Sequence, residues 1–298
     1  MWIWLVGVLV ASDPPHQGFR AHALELLRQD TLTVLHLVGG VRVDLGPGQV
    51  ALAHEAYYTE AIGHARLVDS VEVRFPWGTV RARLLEYWQP LERALFRDSV
   101  VVEDTAGRRL RAHQMVYRRD TAWLQRPRLW DPHRQVLLRA DTGYTVGDAG
   151  WFWRNARVRW RDSTWILAET LRVFADTLEA LGHARLENPR FRGNARRLKI
   201  TERWLQLSDS ARTEWTGGTL QAGRIQVHEE EPEVYRVWGL TGAELRAPGE
   251  EGILTLQADT LELRVERDTL RWLQAWPTAT GEYRETPREQ DGTGSEDP

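Results

Sequence analysis

Short runs of alternating apolar and polar residues recur along this chain, the period-two pattern of strands with one buried face. Val41, Val43 and Leu45 alternate with Arg42 and Asp44, and Val71, Val73 and Phe75 with Glu72 and Arg74. Val158 and Trp160 alternate with Arg157, Arg159 and Arg161 in the same way. Turn-forming clusters separate the runs: Gly46-Pro47-Gly48, Pro76-Trp77-Gly78, Asp104-Thr105-Ala106-Gly107, Asp131-Pro132 and Pro248-Gly249. Between Ala21 and Arg28 the residues Leu24, Leu27 and Arg28 have helical spacing, but a strand suits the surrounding pattern better. The elements predicted are therefore strands throughout.

The runs are copies of one unit. A phrase of the form apolar-x-Ala-polar appears as Leu110-Arg111-Ala112-His113, Leu138-Arg139-Ala140-Asp141, Ile166-Leu167-Ala168-Glu169 and Leu256-Gln257-Ala258-Asp259. Looser copies are Ala51-Leu52-Ala53-His54, Val80-Arg81-Ala82-Arg83, Leu198-Lys199-Ile200-Thr201 and Ile225-Gln226-Val227-His228. The third position of the phrase recurs on average about every 29 residues. A second phrase interleaves with it: Gly40-Val41-Arg42-Val43, Gly63-His64-Ala65-Arg66-Leu67, Asn155-Ala156-Arg157-Val158 and Gly182-His183-Ala184-Arg185-Leu186. Two strands and two turns cannot bury an apolar face alone. About eight such units stacked along one axis can, giving an all-β repeat with one long interior. Strand geometry sends Val80, Leu110, Leu138, Ile166, Leu198 and Leu256 to that interior, together with Ala82, Ala112, Ala140, Ala168, Ile200 and Ala258. Gly40, Gly63 and Gly182 are expected at strand bends or close backbone approaches.

Composition narrows the function. The 298 residues are 42% hydrophobic with a formal net charge of −3, enough apolar content for a substantial core and no polybasic segment for nucleic acid. Lys199 is the sole lysine, so almost every cation is an arginine, whose planar fork suits carboxylate or phosphate. There is no cysteine, hence no disulfide, thiolate metal site or cysteine nucleophile. The opening Met1-Trp2-Ile3-Trp4-Leu5-Val6-Gly7-Val8-Leu9-Val10-Ala11-Ser12 is too short to span a bilayer, which takes ~20 residues. It suits the apolar region of a secretory signal ending near residue 12, with a first buried strand as the alternative. The repeat domain is expected over residues 22–283. The acidic, Gly- and Pro-containing stretch 284–298 reads as a disordered tail.

Nine histidines are scattered without metal-ligand spacing, and His54, His113 and His228 occupy the polar slot of the first phrase. No nucleophile elbow, phosphate loop or dinucleotide fingerprint occurs, so neither a catalytic group nor a cofactor is expected. A glycosidase-type carboxylate pair leaves little trace in a sequence, which makes a polysaccharide-active β-solenoid the leading enzyme alternative. The acids here, however, recur with the repeat. Runs of arginine and aromatic residues at 154–161 and at 190–197 with Arg203 and Trp204 suit outward faces of amphipathic strands, or else phosphorylated glycolipid headgroups or nucleic acid held by stacking.

The ordered phrases resemble those of OstA-like proteins, which include the periplasmic lipopolysaccharide-transport proteins. The likeness is carried by Val38-Gly39-Gly40-Val41-Arg42-Val43, then Leu52-Ala53-His54-Glu55-Ala56-Tyr57-Tyr58, then Ala61-Ile62-Gly63-His64-Ala65-Arg66-Leu67. Ala258-Asp259-Thr260-Leu261-Glu262 repeats the family's Ala-Asp-x-Leu phrase, and the likeness spans roughly residues 22 to 283. The order resembles the N-terminal domain of the Bacteroidetes-type members. Gly-Asn becomes Gly-His or Gly-Gly in this chain, and the units near 198–235 are degenerate. The resemblance implies an open β-jellyroll, or β-taco, whose apolar trough carries acyl chains of lipopolysaccharide or a related lipid through the periplasm, with the twelve interior residues named above as candidates for its lining. It also implies partners among lipopolysaccharide-transport envelope proteins, or further copies of the chain end to end, joined by edge strands. A secreted structural or adhesive repeat with a filled core is the rival.

Overall fold

A computed structural model describes residues 18–285, except 30–31, 47, 148, 161–162, 175–176, 202–203, 232 and 250–251. The apolar N-terminal run and the tail from residue 286 lie outside the described residues. Among the described residues, twenty-one strands and two single 3-10 turns, Glu60–Ile62 and Gln89–Leu91, make up the regular structure. The fold is all-β and repetitive, as the pattern predicts, with the jellyroll-like character that the resemblance implies. The chain forms two compact units: residues up to 187 with 199–202, and 188–198 with residues from 203 on.

In the first unit β1 (Phe19–Arg20) and β2 (Ala23–Gln29) lie along β3 (Leu32–Gly46). The chain then meanders through β4 (Gln49–Thr59), β5 (His64–Phe75), β6 (Gly78–Trp88), β7 (Arg93–Asp104) and β8 (Arg109–Arg118). Each is antiparallel to the one before. The short strands β9 (Thr121–Gln125) and β10 (Arg128–Asp131) both pair with β8, as two limbs of one interrupted strand. Likewise β11 (Val136–Arg139) and β12 (Thr142–Val146) both pair with β13 (Ala149–Trp160). β14 (Thr164–Phe174) and β15 (Thr177–Glu187) follow. The second unit holds most of β16 (Phe191–Ile200), then β17 (Trp204–Trp215), β18 (Gly218–Glu231), β19 (Val234–Pro248), β20 (Gly252–Glu266) and β21 (Thr269–Glu285). From β17 onward neighbours in sequence again pair antiparallel. With β9 and β10 counted as one interrupted strand and β11 and β12 as another, β3 to β20 make eight successive strand pairs. The segment 23–29 is a strand, as its surroundings predict.

Alternate long strands (β3, β5, β7, β13, β15, β17 and β19) turn a corner near their middle. At Gly39-Gly40, Asp69-Ser70, Asp98-Ser99, Arg154-Asn155 and Gly182-His183 two consecutive residues take left-handed backbone, and Asp209-Ser210 and Thr241-Gly242 do so in the second unit. Glycine has no Cβ to clash there, and Asp, Asn and His tolerate the region better than most residues. The ladder registers break at these points, between Val68 and Val71 for example, or between Trp153 and Ala156. The corner lets both limbs send apolar side chains to one interior. In β5 these are Leu67 before the corner and Val71, Val73 and Phe75 after it; in β7 they are Ala94 and Phe96, then Val100 and Val102. On the intervening strands the alternation slips by one residue, from Val80 and Ala82 to Leu85 in β6.

The corner also explains the first phrase. Its alanine sits opposite the first residue beyond the left-handed pair: Ala53 faces Val41, Ala82 faces Val71, Ala112 faces Val100 and Ala168 faces Ala156. Two limbs converge there, and in each of these copies the slot holds a small side chain. The next residue points outward and clasps the neighbouring corner. Arg83 donates to Asp69 at 3.3 Å, Asn155 donates to Asp141 at 2.6 Å, and His183 lies 2.8 Å from Glu169. Two proposed copies fall out of register. Gly63, at φ 55, closes the turn between β4 and β5 while the corner of β5 is Asp69-Ser70. In the second unit Ala222, opposite Ala211, takes the alanine slot, five residues before the Val227 that the spacing selects. Glycine and turn dipeptides mark connections and corners alike, so spacing alone confuses the two.

Candidate functional site

The register brings the predicted interior residues of the first unit into one cross-strand row. Val80 pairs with Val102, Val102 with Leu110, Leu110 with Leu129 and Leu129 with Leu138. The row continues through Val158 and Ile166 to Leu186. Leu138 and Ile166 are 0% exposed. Ala82, Ala112 and Ala140 are buried, Ala168 is half-buried and Ile200 is buried. In the second unit Leu198 is fully buried and Ala258 buried, while Leu256 is half-buried between Leu245 and Gly281. Around Leu138 and Ile166 the interior is a filled core.

Space opens elsewhere, at the N-terminal end of the first unit. A cavity of about 480 Å³ lies between the two limbs of β3 to β7, within the ~300–1,000 Å³ range of small-molecule sites. Leu35, Leu37, Leu67, Leu85 and Phe96 line it from one limb, and Val43, Leu45, Val73 and Phe75 from the other. None of the twelve residues selected from the sequence belongs to its wall. Phe19 of β1 and Leu26 of β2 reach its wall, and these two strands pair with β3 alone among the described residues. On these strands Phe19 is 46% and Leu26 71% exposed, so the rim itself is apolar.

Side-chain size accounts for the space. Ala51, Ala56, Ala65 and Ala94 stand in the cavity wall, with Ala65 opposite Tyr58 and Ala94 opposite Tyr87. At the core of β13 and β14, by contrast, Phe152 faces Leu171 and Val158 faces Ile166. The polar atoms at the cavity are few: Thr33, Gln49, Glu60, Gln89 and the tyrosine hydroxyls. Burial pushes the Tyr87 phenol above its usual pKa, with Glu92 adding to the effect, so it stays a neutral hydroxyl at physiological pH. The Tyr57 hydroxyl donates to Glu55 at 3.0 Å, and that bond, with burial, raises its pKa too. A largely hydrocarbon wall, in which Glu60 is the one carboxylate among the described residues, suits an apolar ligand or segment. Among the described residues no three His, Asp or Glu side chains converge as a metal site would require.

Sequence reasoning missed this site because it sought the most regular copies of the repeat. The cavity forms where copies deviate, with alanine and tyrosine where others carry leucine and isoleucine. The run of Ala51, Ala53, Ala56, Ala61 and Ala65 is the signal that was available. The chain matches no protein-family model and no curated protein sequence.

Proposed function

We propose that this protein is a non-enzymatic lipid carrier or bridge of the OstA-like class. It would hold acyl chains of lipopolysaccharide or a related lipid in the N-terminal apolar cavity. The observation that carries the reading is a 480 Å³ hydrocarbon-lined space open at the end of a filled β repeat. Acyl chains entering it leave water at about 0.8 kcal/mol per methylene. A headgroup at the rim stays hydrated. In this reading the protein works in the periplasm, and edge strands extend it toward lipopolysaccharide-transport envelope proteins or further copies of itself.

A fluorescent dodecanoic-acid probe tests the proposal. Saturable binding by the full chain is expected, weakened at least tenfold in Ala65→Trp, which fills the cavity from its wall. An unaltered affinity in a folded Ala65→Trp variant, or no saturable binding by the unaltered protein, would reject it. One observation favours a second reading: the interior at Leu138, Ile166 and Leu171 is as closed as any globular core. A structural envelope scaffold with a filled core would have that property and need no ligand.

A further inference from the structure

The outer face of the first unit carries a feature independent of the lipid reading. Cross-strand register lines up Arg111 with Arg128, Arg128 with Arg139 and Arg139 with Arg157, four arginines directly opposed on four neighbouring strands. Leu167 and Arg185 continue the same row. Like charges directly opposite one another destabilise a sheet, so this ladder works against the fold. Nor is it neutralised. None of these five arginines has an ion-pair or hydrogen-bond partner among the described residues, and the Nε of Arg139 is shielded from solvent with no acceptor. Earlier in the same row Glu72 faces Arg81 and accepts from it at 2.9 Å, so the sheet neutralises this position elsewhere.

The ladder borders a groove of about 1,090 Å³ along the corners of these strands. Arg126 and Arg154 join Arg128, Arg139, Arg157 and Arg185 in its wall. The two carboxylates present are engaged, Asp141 by Asn155 and Glu169 by His183. Among the described residues, the six guanidinium groups of this wall have no ion-pair partner, and the groove holds no free counter-charge. Neighbouring strands lie ~4.8 Å apart, so the ladder offers one cation per strand in single file.

We infer that this groove binds a linear anionic polysaccharide, with successive carboxylate or phosphate groups taken by Arg111, Arg128, Arg139 and Arg157. Guanidinium forks match such oxyanions in two-point contacts that lysine cannot make. Single-file charge suits a chain with one anion per sugar better than a membrane plane. The adjoining row, Arg109, Trp130, Leu137, Arg159 and Trp165, interleaves apolar flat surface against which sugar rings can lie, and its Arg109 is already paired with Glu103. Nucleic-acid binders are usually basic overall, with a pI above ~9, whereas this chain has a pI near 6.3.

Polygalacturonate oligomers, with one carboxylate per sugar, are the probe, and oligo-dT and phosphatidylglycerol vesicles are the comparison arms. The full chain should bind the oligomers in a salt-sensitive manner. Affinity should fall at least tenfold in Arg128→Gln/Arg139→Gln/Arg157→Gln, whose melting temperature should hold or rise as repulsion is relieved. Arg74→Gln/Arg81→Gln, which removes paired arginines, should bind as the unaltered protein does. On the unaltered protein the oligomers should also protect Arg128, Arg139 and Arg157 from phenylglyoxal while Arg74 is still modified, which needs no variant to fold. Absence of binding, equal losses in both variants, unprotected ladder arginines, or tighter capture of oligo-dT or vesicles would each overturn the inference.

Discussion

The first unit contrasts its N-terminal end with its middle on both faces of the sheet. Inside, β3 to β7 carry alanines and tyrosines around an open cavity, while β10 to β15 pack Leu138, Ile166, Leu171 and Leu186 without exposed surface. Outside, the same cross-strand row is balanced by Glu72 at one end and becomes an uncompensated arginine ladder in the middle. One repeat therefore keeps its corners and its register while its two faces are specialised separately. Where the interior departs from good packing, or the exterior from charge balance, stability is given up locally, and such places are where function is expected.

The largest break of this contrast comes from charge in the filled core. Leu138→Asp should destabilise by more than about 4 kcal/mol, since a fully buried carboxylate there has no partner. The expected result is loss of the cooperative urea transition; a folded variant with near-normal stability would mean the middle is as open as the N-terminal end. Cavity-forming truncations sharpen the same comparison. Leu171→Ala should cost about 3–5 kcal/mol, within the range for closed cores, whereas Leu35→Ala, already facing open space, should cost about 1 kcal/mol. Equal costs in urea titrations would erase the difference between the two regions.

The corners are common to both regions, so their disruption should not discriminate. Asp98→Val places a β-branched residue at φ 60 and should cost about 1–3 kcal/mol, while Asp98→Gly should be close to neutral. The smallest effect expected is electrostatic. Arg81, then Arg74, hold the Glu72 carboxyl below its ordinary value of 4.5. Its folded pKa is depressed, so its contribution is present above pH 4.5 and lost as pH falls through the folded value. Glu72→Gln should therefore cost about 0.5 kcal/mol at pH 7, and the cost should shrink as pH falls below 4.5. A constant difference across that range would show that the pairing contributes no net stability.

Much of this architecture is visible in the sequence. Alternation in Val71-Val73-Phe75 or Val80-Ala82 gives strands, and the apolar-x-Ala phrase gives the repeat and, through Leu110, Leu138 and Ile166, one interior row. The corners are harder to see. Asp69-Ser70, Asp98-Ser99 and Asp209-Ser210 are three copies of one dipeptide, yet each sits inside a strand where a turn signal ordinarily ends one. The phase slip there also puts Leu85 inside when strict alternation from Val80 and Ala82 would select Leu84. The cavity and the ladder are less legible still. One arises from alanines on strands that meet only after folding, the other from arginines 11 to 18 residues apart that register brings opposite one another.

Photo-crosslinking with a diazirine placed in the acyl chain of a lauroyl lipid tests the central claim most directly. Adducts on the full chain, located by peptide mass spectrometry, should fall on the cavity wall at Leu35, Leu37, Leu67 and Phe96, and should be displaced by unlabelled lipid. Adducts confined to outward residues such as Trp123, or labelling that unlabelled lipid does not displace, would contradict the account and leave the filled scaffold as the better description.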